Sequence, residues 1–595
     1  MQKLSCKLPL LLAGLLFSFP FLIPSHQPPL VSFYSEWWAG LIGLVLVGVA
    51  LFRNLDWRFP SVALPVLGLI FLLIVQAFSG HSLDGMQTLF ALAFLLWGVL
   101  LMWAARVLVG KVGVDALVVW LAWVLVIGGA ISALFAVLQS TQTEALFAGV
   151  MAHSALKGAP YGNLGQPNHL AHYLALGLAS VLYLLAFAKL RTKLGLLVFA
   201  LGGLLVLGLA LTASRSAWLY LISFTVLGWG WFYFHQHAES KKLARSATLF
   251  LLVFSLSQFV LMQTPKHVEK AALTTPTVPT ASERILQDGA GLPVRLVYWQ
   301  HAWEMFLAQP LAGVGYQHFA WKNFELTAKD VEQGKVLPPA LYQQATNNAH
   351  NLFLQFLAEF GLGGALVVLG LLYALLRQLT RPWTPERWWA WAVLSVIAIH
   401  SLLEFPLWYA YFWGVAAFVL GILDKGAAET KSHAWLKTLA WLGVSAGVLI
   451  LAAMMVSYPP LERAFQYAPE RNPAYTKTDL QKDLLKIQGN PFFAPQLAFL
   501  FTSVEIPVDN PASWPVHLGF NSQALAHKPN PGLVYRQVLL LALNGQNDAA
   551  LRLMQLAARV YPDRLPGFLV SLRAYAPFNP GVQVLMQSGQ GDPIK

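Results

Sequence analysis

The chain has 595 residues, of which 57% are hydrophobic and 11% charged, where an average soluble domain carries roughly 25% charged residues. That balance excludes a water-soluble globular protein and points to a polytopic membrane protein. The net charge of +12 does not indicate nucleic acid, because the basic residues stand in short loops between apolar runs, where they read as topology signals.

In chain order, Lys3 and Lys7 flank the approach to an apolar run from Leu8, as in a signal sequence. Many further spans follow, so an uncleaved first helix is expected. The one cysteine, Cys6, excludes a disulfide within the chain and precedes the apolar run, a poor place for a lipoprotein cleavage site. About thirteen apolar runs have spanning length, centred near Leu16, Leu44, Gly68, Leu95, Val126, Leu178, Leu204, Ser223, Phe254, Val367, Ile397, Ala416 and Gly447. Their loops alternate in charge. One set holds Arg53 and Arg58, Arg106 and Lys111, Lys189 to Lys193, Lys241 to Arg245, Arg377 to Arg387, and Lys425 and Lys431. The opposite short loops are almost free of Lys and Arg. The positive-inside rule places the basic set and the N-terminus in the cytoplasm, and an odd number of spans then places the C-terminal segment outside.

Four segments follow: an N-terminal transmembrane bundle at 1–263, a large outer loop at 264–350, a second bundle at 351–457, and a soluble helical domain at 458–595. Within the last, Pro531–Tyr561 reads as a helical hairpin broken at Gly545, with Leu533, Val538, Leu541 and Leu543 on one helix and Ala549, Leu551, Met554, Leu556 and Ala558 on the other. Such a pair resembles a tetratricopeptide unit, either a docking platform for protein or a packing domain. No GxxxxGK[ST] phosphate loop occurs and the cytoplasmic loops are short, which argues against direct use of ATP.

Polar residues gather on the outer side. Gln166, Asn168 and His169 open the sixth span after Gly162 and Gly165, and offer neutral hydrogen-bonding groups to a polar ligand; the alternative is a simple turn and cap. His169 and His172 share a helix face at a spacing that suits a metal, but no carboxylate or thiol accompanies them, so no metal is expected. Arg215, in Ser214-Arg215-Ser216, stands at a short outer turn. It is either a phosphate-binding fork or an arginine that snorkels to the headgroups. Arg284 and Arg295 lie in the long loop before Tyr298-Trp299, as contacts to an anion or as solvated charges. His350, in Asn347-Asn348-Ala349-His350-Asn351, stands where that loop meets an apolar helix. The positive end of the helix there favours a neutral imidazole able to accept a proton, and its N–H groups suit an anion. The alternative is that Asn347 or Asn348 merely caps the helix. His400 and Glu404 lie one turn apart before Pro406, and Trp408, Tyr409 and Tyr411 form either part of a site or an aromatic belt.

Taken in order, Gly165-Gln166-Pro167-Asn168, Ser214-Arg215-Ser216, Arg295 with Tyr298-Trp299 and Pro310 to Gly315, His350-Asn351 with Gln355, Glu359 and Gly361, and Leu403-Glu404-Phe405-Pro406-Leu407-Trp408-Tyr409 resemble the PglL-type bacterial protein O-oligosaccharyltransferases. These belong to the superfamily of O-antigen ligases and Wzy-type polymerases. The resemblance implies a GT-C-like, mainly α-helical membrane glycosyltransferase of the bacterial inner membrane. Such an enzyme moves a preassembled glycan from undecaprenyl pyrophosphate to a Ser or Thr hydroxyl of a periplasmic protein, often a type IV pilin, without metal or other cofactor. It implies His350 as the essential loop histidine, Gln166 as a functional glutamine, Arg215 and Arg295 as phosphate-binding residues, and a functional tyrosine at Tyr409 or Tyr411. The chain departs from relatives at Ala349 and Phe405, which removes no proposed catalytic group. The alternatives are a ligase or polymerase acting on lipid-linked glycan, or a transporter for it.

Overall fold

A computed structural model describes residues 7–53, 58–152, 159–263, 294–342, 346–424, 427–429, 434–467 and 474–590. The chain is helical along nearly all of this length, with one two-stranded antiparallel ladder, Arg58–Pro60 against Ala427–Glu429, among the described residues. Ten described helices are long and apolar enough to cross a membrane. They match ten of the thirteen expected runs. The other three fall on shorter helices, Lys7–Leu16, Pro385–Ser401 and Ala410–Leu423. The first stops ahead of a 3-10 turn at Phe19–Leu22, which carries Pro20. The last two are separated by the Leu402–Tyr409 connection, where Pro406 opens another 3-10 turn; proline has no N–H to continue a helical ladder.

The chain divides into two compact units. The first comprises Met1–Ile70, Ala93–Gly289 and Leu369–Val456. Its central element is helix Pro167–Phe187, in which every residue from His169 to Ala186 is buried. A helix apolar all round needs neighbours on every side, and Val114–Ser140, Thr192–Leu211 and Pro385–Ser401 supply them. Small residues bring the backbones together: a Cβ on Gly177 would stand 3.1 Å from the carbonyl oxygen of Leu125. Close approach through small residues is how membrane helices gain packing contacts when lipid is as apolar as they are.

The second unit comprises Phe71–Leu92, Ala290–Val368 and Ser457–Lys595. The hairpin expected from the sequence is present as Pro531–Leu543 and Asn547–Val560, turned at Gly545 with φ +76°. Leu533, Val538, Leu543, Met554 and Ala558 are buried, and Leu541, Leu551 and Leu556 pack at the edge of the same core. Helix Phe319–Glu332 joins that core through Phe324 and Ala328, with the Phe324 ring stacked 5.7 Å from Tyr561.

The long apolar helix Leu352–Leu379 is interrupted at Gly361, whose φ of +59° and ψ of −139° lie outside helical space. A broken helix leaves backbone groups without intrahelical partners, and the loop after Ala308 takes them up. Val314 N–H donates to the carbonyl of Ala358 at 2.8 Å, Gly315 N–H to that of Glu359 at 3.2 Å, and Leu362 N–H to that of Pro310 at 2.8 Å. Gln76 closes the arrangement. Its Nε2 donates to the carbonyls of Glu359 (2.8 Å) and Ala312 (3.0 Å), and its Oε1 accepts from Tyr316 N–H at 3.0 Å.

Candidate functional site

In the first unit, the loop before helix Pro167–Phe187 is a built structure. The Gln139 side chain uses all its capacity on it: Nε2 donates to the carbonyls of Ala152 and Gly162, and Oε1 accepts from the N–H groups of Tyr161 and Gly162. Buried Asn163 donates to the carbonyls of Leu22 and Val150 and accepts from Ala152 N–H, all at 2.8 Å. Gly162 and Gly165 take φ of +58° and +71°, and a Cβ on Gly165 would meet the His26 ring at 3.0 Å. The loop delivers Gln166 to the N-cap position. Its carbonyl starts the helix, while its amide makes no cap hydrogen bond and stays half-buried.

Two residues on, Asn168 joins two other segments. Its Nδ2 donates to Glu404 Oε1 at 3.2 Å, and its Oδ1 accepts from Ser214 Oγ at 2.8 Å. Asn168 thus ties together the sixth-span opening, the Arg215 turn and the Leu403–Tyr409 motif, three segments that the sequence singled out separately. Arg215 follows Ser214 at the start of helix Ser216–His235, half-buried, just after Ala213 at φ +52°. His169 Nδ1 lies 3.2 Å from the Tyr411 hydroxyl, and its ring meets Tyr409 edge-on at 4.6 Å. His172 Nδ1 lies 2.7 Å from His400 Nδ1, so one nitrogen donates and the other accepts. The two histidines with metal-like spacing therefore have different partners. Among the described residues, no three His, Cys, Asp or Glu side chains gather as metal ligands would.

In the second unit, His350 precedes helix Leu352–Leu379 by two residues, with φ +52°. The cap is Asn351, whose Oδ1 accepts from Leu354 N–H at 3.1 Å. This corrects the alternative that Asn347 or Asn348 caps the helix: Asn348 Oδ1 instead holds His350 N–H at 3.0 Å, and Gln355 Oε1 holds Ala349 N–H at 2.7 Å. Of the helix N-terminal N–H groups that an anion was expected to take, that of Leu354 is thus used by the chain's own Asn351. The His350 ring stacks on Tyr298, 5.8 Å between centroids and 20° between planes. Burial pushes the Tyr298 phenol up from its ordinary value, so it is neutral at physiological pH. Tyr298 lies one turn after Arg295, which is half-buried in the first turn of helix Val294–Ala308. Arg284 lies outside the described residues.

The buried face of that helix also carries His301, whose Nδ1 lies 2.8 Å from Asn323 Oδ1 and whose Nε2 lies 3.0 Å from Asp330 Oδ2. Lys335 Nζ completes the network at 2.6 Å from Asp330 Oδ1. This clamp fixes Val294–Ala308 to Phe319–Glu332 and so holds the Tyr298 ring under His350. The sequence reading passed over Gln76, Gln139 and His301. The first two carried a usable signal, a single amide in an otherwise apolar run.

Of the predicted residues, Gln166, Asn168, His169, Arg215, Glu404, Tyr409 and Tyr411 belong to the first unit, and Arg295 and His350 to the second.

Three families match in successive segments of the chain: a protein glycosylation ligase family over residues 160–185, the O-antigen ligase family over 202–369, and the C-terminal family of a virulence factor membrane-bound polymerase over 388–570. A general O-oligosaccharyltransferase of Acinetobacter baylyi is 27% identical over 427 residues, 71% of each chain. A ComP-specific O-oligosaccharyltransferase of the same organism is 24% identical over 412 residues, 68% of this chain and 69% of that one. The first family match covers the Gln166 motif, and the second runs from just before Arg215 to just beyond Gly361. The resemblance to the PglL-type O-oligosaccharyltransferases and O-antigen ligases is borne out, and the chain is a multi-pass membrane enzyme of the oligosaccharyltransferase class.

Proposed function

We propose that this enzyme moves a preassembled glycan en bloc from undecaprenyl pyrophosphate to a Ser or Thr hydroxyl of a periplasmic protein such as a type IV pilin, at the outer face of the bacterial inner membrane. The observation that carries the reading is the likeness to two O-oligosaccharyltransferases over more than two thirds of both chains. The attacking hydroxyl oxygen bonds to the anomeric carbon, the bond from that carbon to the pyrophosphate oxygen breaks, and undecaprenyl pyrophosphate leaves with the electron pair. His350 accepts the hydroxyl proton, a general-base role worth roughly 10²–10⁴-fold in rate. The Tyr298 stack and the Asn348 bond, which restrict the residue, support that assignment. Arg215 and Arg295 are assigned to the pyrophosphate, whose departing charge a guanidinium stabilises. Gln166, Asn168 and His169 are assigned to the sugar, with Glu404 holding Asn168, and Tyr409 and Tyr411 to aromatic contact. Arg284 keeps its sequence-based assignment to the same anion. No step needs a metal.

The test is co-expression with a pilin-like acceptor in a host supplied with an undecaprenyl-linked glycan, reading the acceptor's intact mass. The expected result is a gain of one glycan, lost in His350→Ala. Glycan on lipid A–core instead would favour the second reading, an O-antigen ligase, which the match at residues 202–369 supports. Product on neither would mean a mismatched acceptor or a lipid-linked glycan transporter, and a change of pilin separates the two.

A further inference from the structure

We infer that helix Val294–Ala308 is a membrane anchor lying in the bilayer interface, its outer face and the following Leu311 contacting the acyl chains of the surrounding leaflet. The helix has two apolar faces. One is buried and carries Val297, Tyr298, Ala302 and Met305. On the other, Leu296, Trp303 and Leu307 are 43%, 46% and 59% exposed. At 100° per residue these three fall within about 40° of arc. Gln300 stands about 20° beyond that arc, and its amide is turned to Glu304 at 2.9 Å. A helix that buries one face in protein and leaves Leu and Trp uncovered on the other is suited to a membrane interface, where Trp is enriched.

The occupant follows from where the helix leads. Its stripe continues into Leu311, 78% exposed, beside the Gly361 break. Leu362, whose N–H donates to the Pro310 carbonyl, and Leu366 are 47% and 69% exposed on the spanning helix itself. Phe78, two residues past Gln76 at the same break, is 90% exposed. So exposed apolar side chains lead from the helix, past Gln309, to those on the outer side of a membrane span. Beyond the break, positions 362–379 give 18 residues of uninterrupted helix, about 27 Å at 1.5 Å per residue, close to a hydrocarbon core of about 30 Å. That match sets the Gly361 break near the hydrocarbon boundary, on the side where Asn347, Asn348 and Asn351 stand. Irregular backbone is tolerated at that level only when its polar groups are satisfied by protein, which is the condition Gln76 and the Pro310–Tyr316 loop meet. The consequence for the enzyme is positional: through Tyr298, the anchor sets the height of His350 against the membrane surface.

The test uses the full chain with its one cysteine replaced (Cys6→Ala) and Leu307→Cys carrying a nitroxide, in nanodiscs of phosphatidylethanolamine and phosphatidylglycerol. Collision of the label with oxygen, which partitions into lipid, is compared with collision with a water-soluble nickel chelate. A label at Lys322→Cys on helix Phe319–Glu332 is the aqueous reference. The expected ratio of oxygen to nickel accessibility at position 307 is severalfold above that at 322, and Trp303→Cys repeats the measurement if the first variant fails to fold. A ratio equal to the reference, meaning water on this face, overturns the inference. Exclusion of both reagents also overturns it, since the occupant would then be protein, a second copy included.

Discussion

Gly361→Ala tests whether the break in helix Leu352–Leu379 is built into the fold. The native φ of +59° with ψ of −139° is a region open essentially to glycine alone. An added Cβ would stand 2.4 Å from the Pro310 carbonyl oxygen and 2.8 Å from Gly313 N, both backbone atoms that cannot rotate away. Strain of this kind costs about 1–3 kcal/mol. Displacing the loop also threatens the bonds from Val314, Gly315 and Leu362, each worth about 1 kcal/mol net. A loss on the order of 3 kcal/mol is therefore expected, which at about 2–4 °C per kcal/mol lowers the melting midpoint of a unit of this size by roughly 6–12 °C. The assay is thermal unfolding of purified protein in detergent, with Gly203→Ala alongside. Gly203 lies inside helix Thr192–Leu211 with open space around the added methyl, so that change should be neutral or stabilising by up to about 1 kcal/mol. An unchanged midpoint in Gly361→Ala, with Gly203→Ala also unchanged, would refute the account of the break.

Three further outcomes follow from the same contacts. Asn168→Asp sets a second carboxylate beside Glu404 and should reduce glycan transfer more than Asn168→Ala, which loses only the two bonds at about 1–3 kcal/mol for groups left unpaired; acceptor mass spectrometry ranks the two. Tyr298→Phe keeps the ring under His350 and should transfer normally, whereas Tyr298→Ala loses a stack worth about 0.5–1.5 kcal/mol, roughly 2- to 12-fold in rate, in initial-rate measurements. Burial raises the Asp330 carboxyl, but hydrogen bonds from Lys335 and His301 outweigh it and hold the group below its ordinary value of 3.8. A carboxyl depressed in the folded state stabilises above that ordinary value and loses its contribution as pH falls through the folded one. Melting midpoints should therefore decline below about pH 4, and less steeply in Asp330→Asn.

The spans were legible because a membrane helix must satisfy its backbone internally and present apolar side chains to lipid, so length and hydropathy carry the signal. Ten of the thirteen expected runs have that length among the described residues. The other three fall on shorter described helices, Lys7–Leu16, Pro385–Ser401 and Ala410–Leu423. The candidate residues were legible as isolated polar groups in apolar surroundings. Their partners were not, because Asn168 meets Glu404 across 236 positions and His172 meets His400 across 228, separations that no local pattern encodes.

Gln76 shows what did remain readable. It is the one amide in helix Leu64–Phe78, whose other residues are apolar. A lone amide in such a helix either costs free energy or has a task. Here its three hydrogen bonds replace what the Gly361 break and the Pro310–Tyr316 loop leave unsatisfied. Gln76→Leu keeps the approximate size and matches the apolar neighbours but strands those backbone groups. It should therefore behave like Gly361→Ala in thermal unfolding, although neither residue lies among those assigned to the chemistry. The double variant provides the stricter measurement. Two lesions in one hydrogen-bonded element should lower the melting midpoint by clearly less than the sum of the single effects, as coupled sites do. Full additivity would mean that Gln76 and the break are independent features, and the description of them as one element would fail.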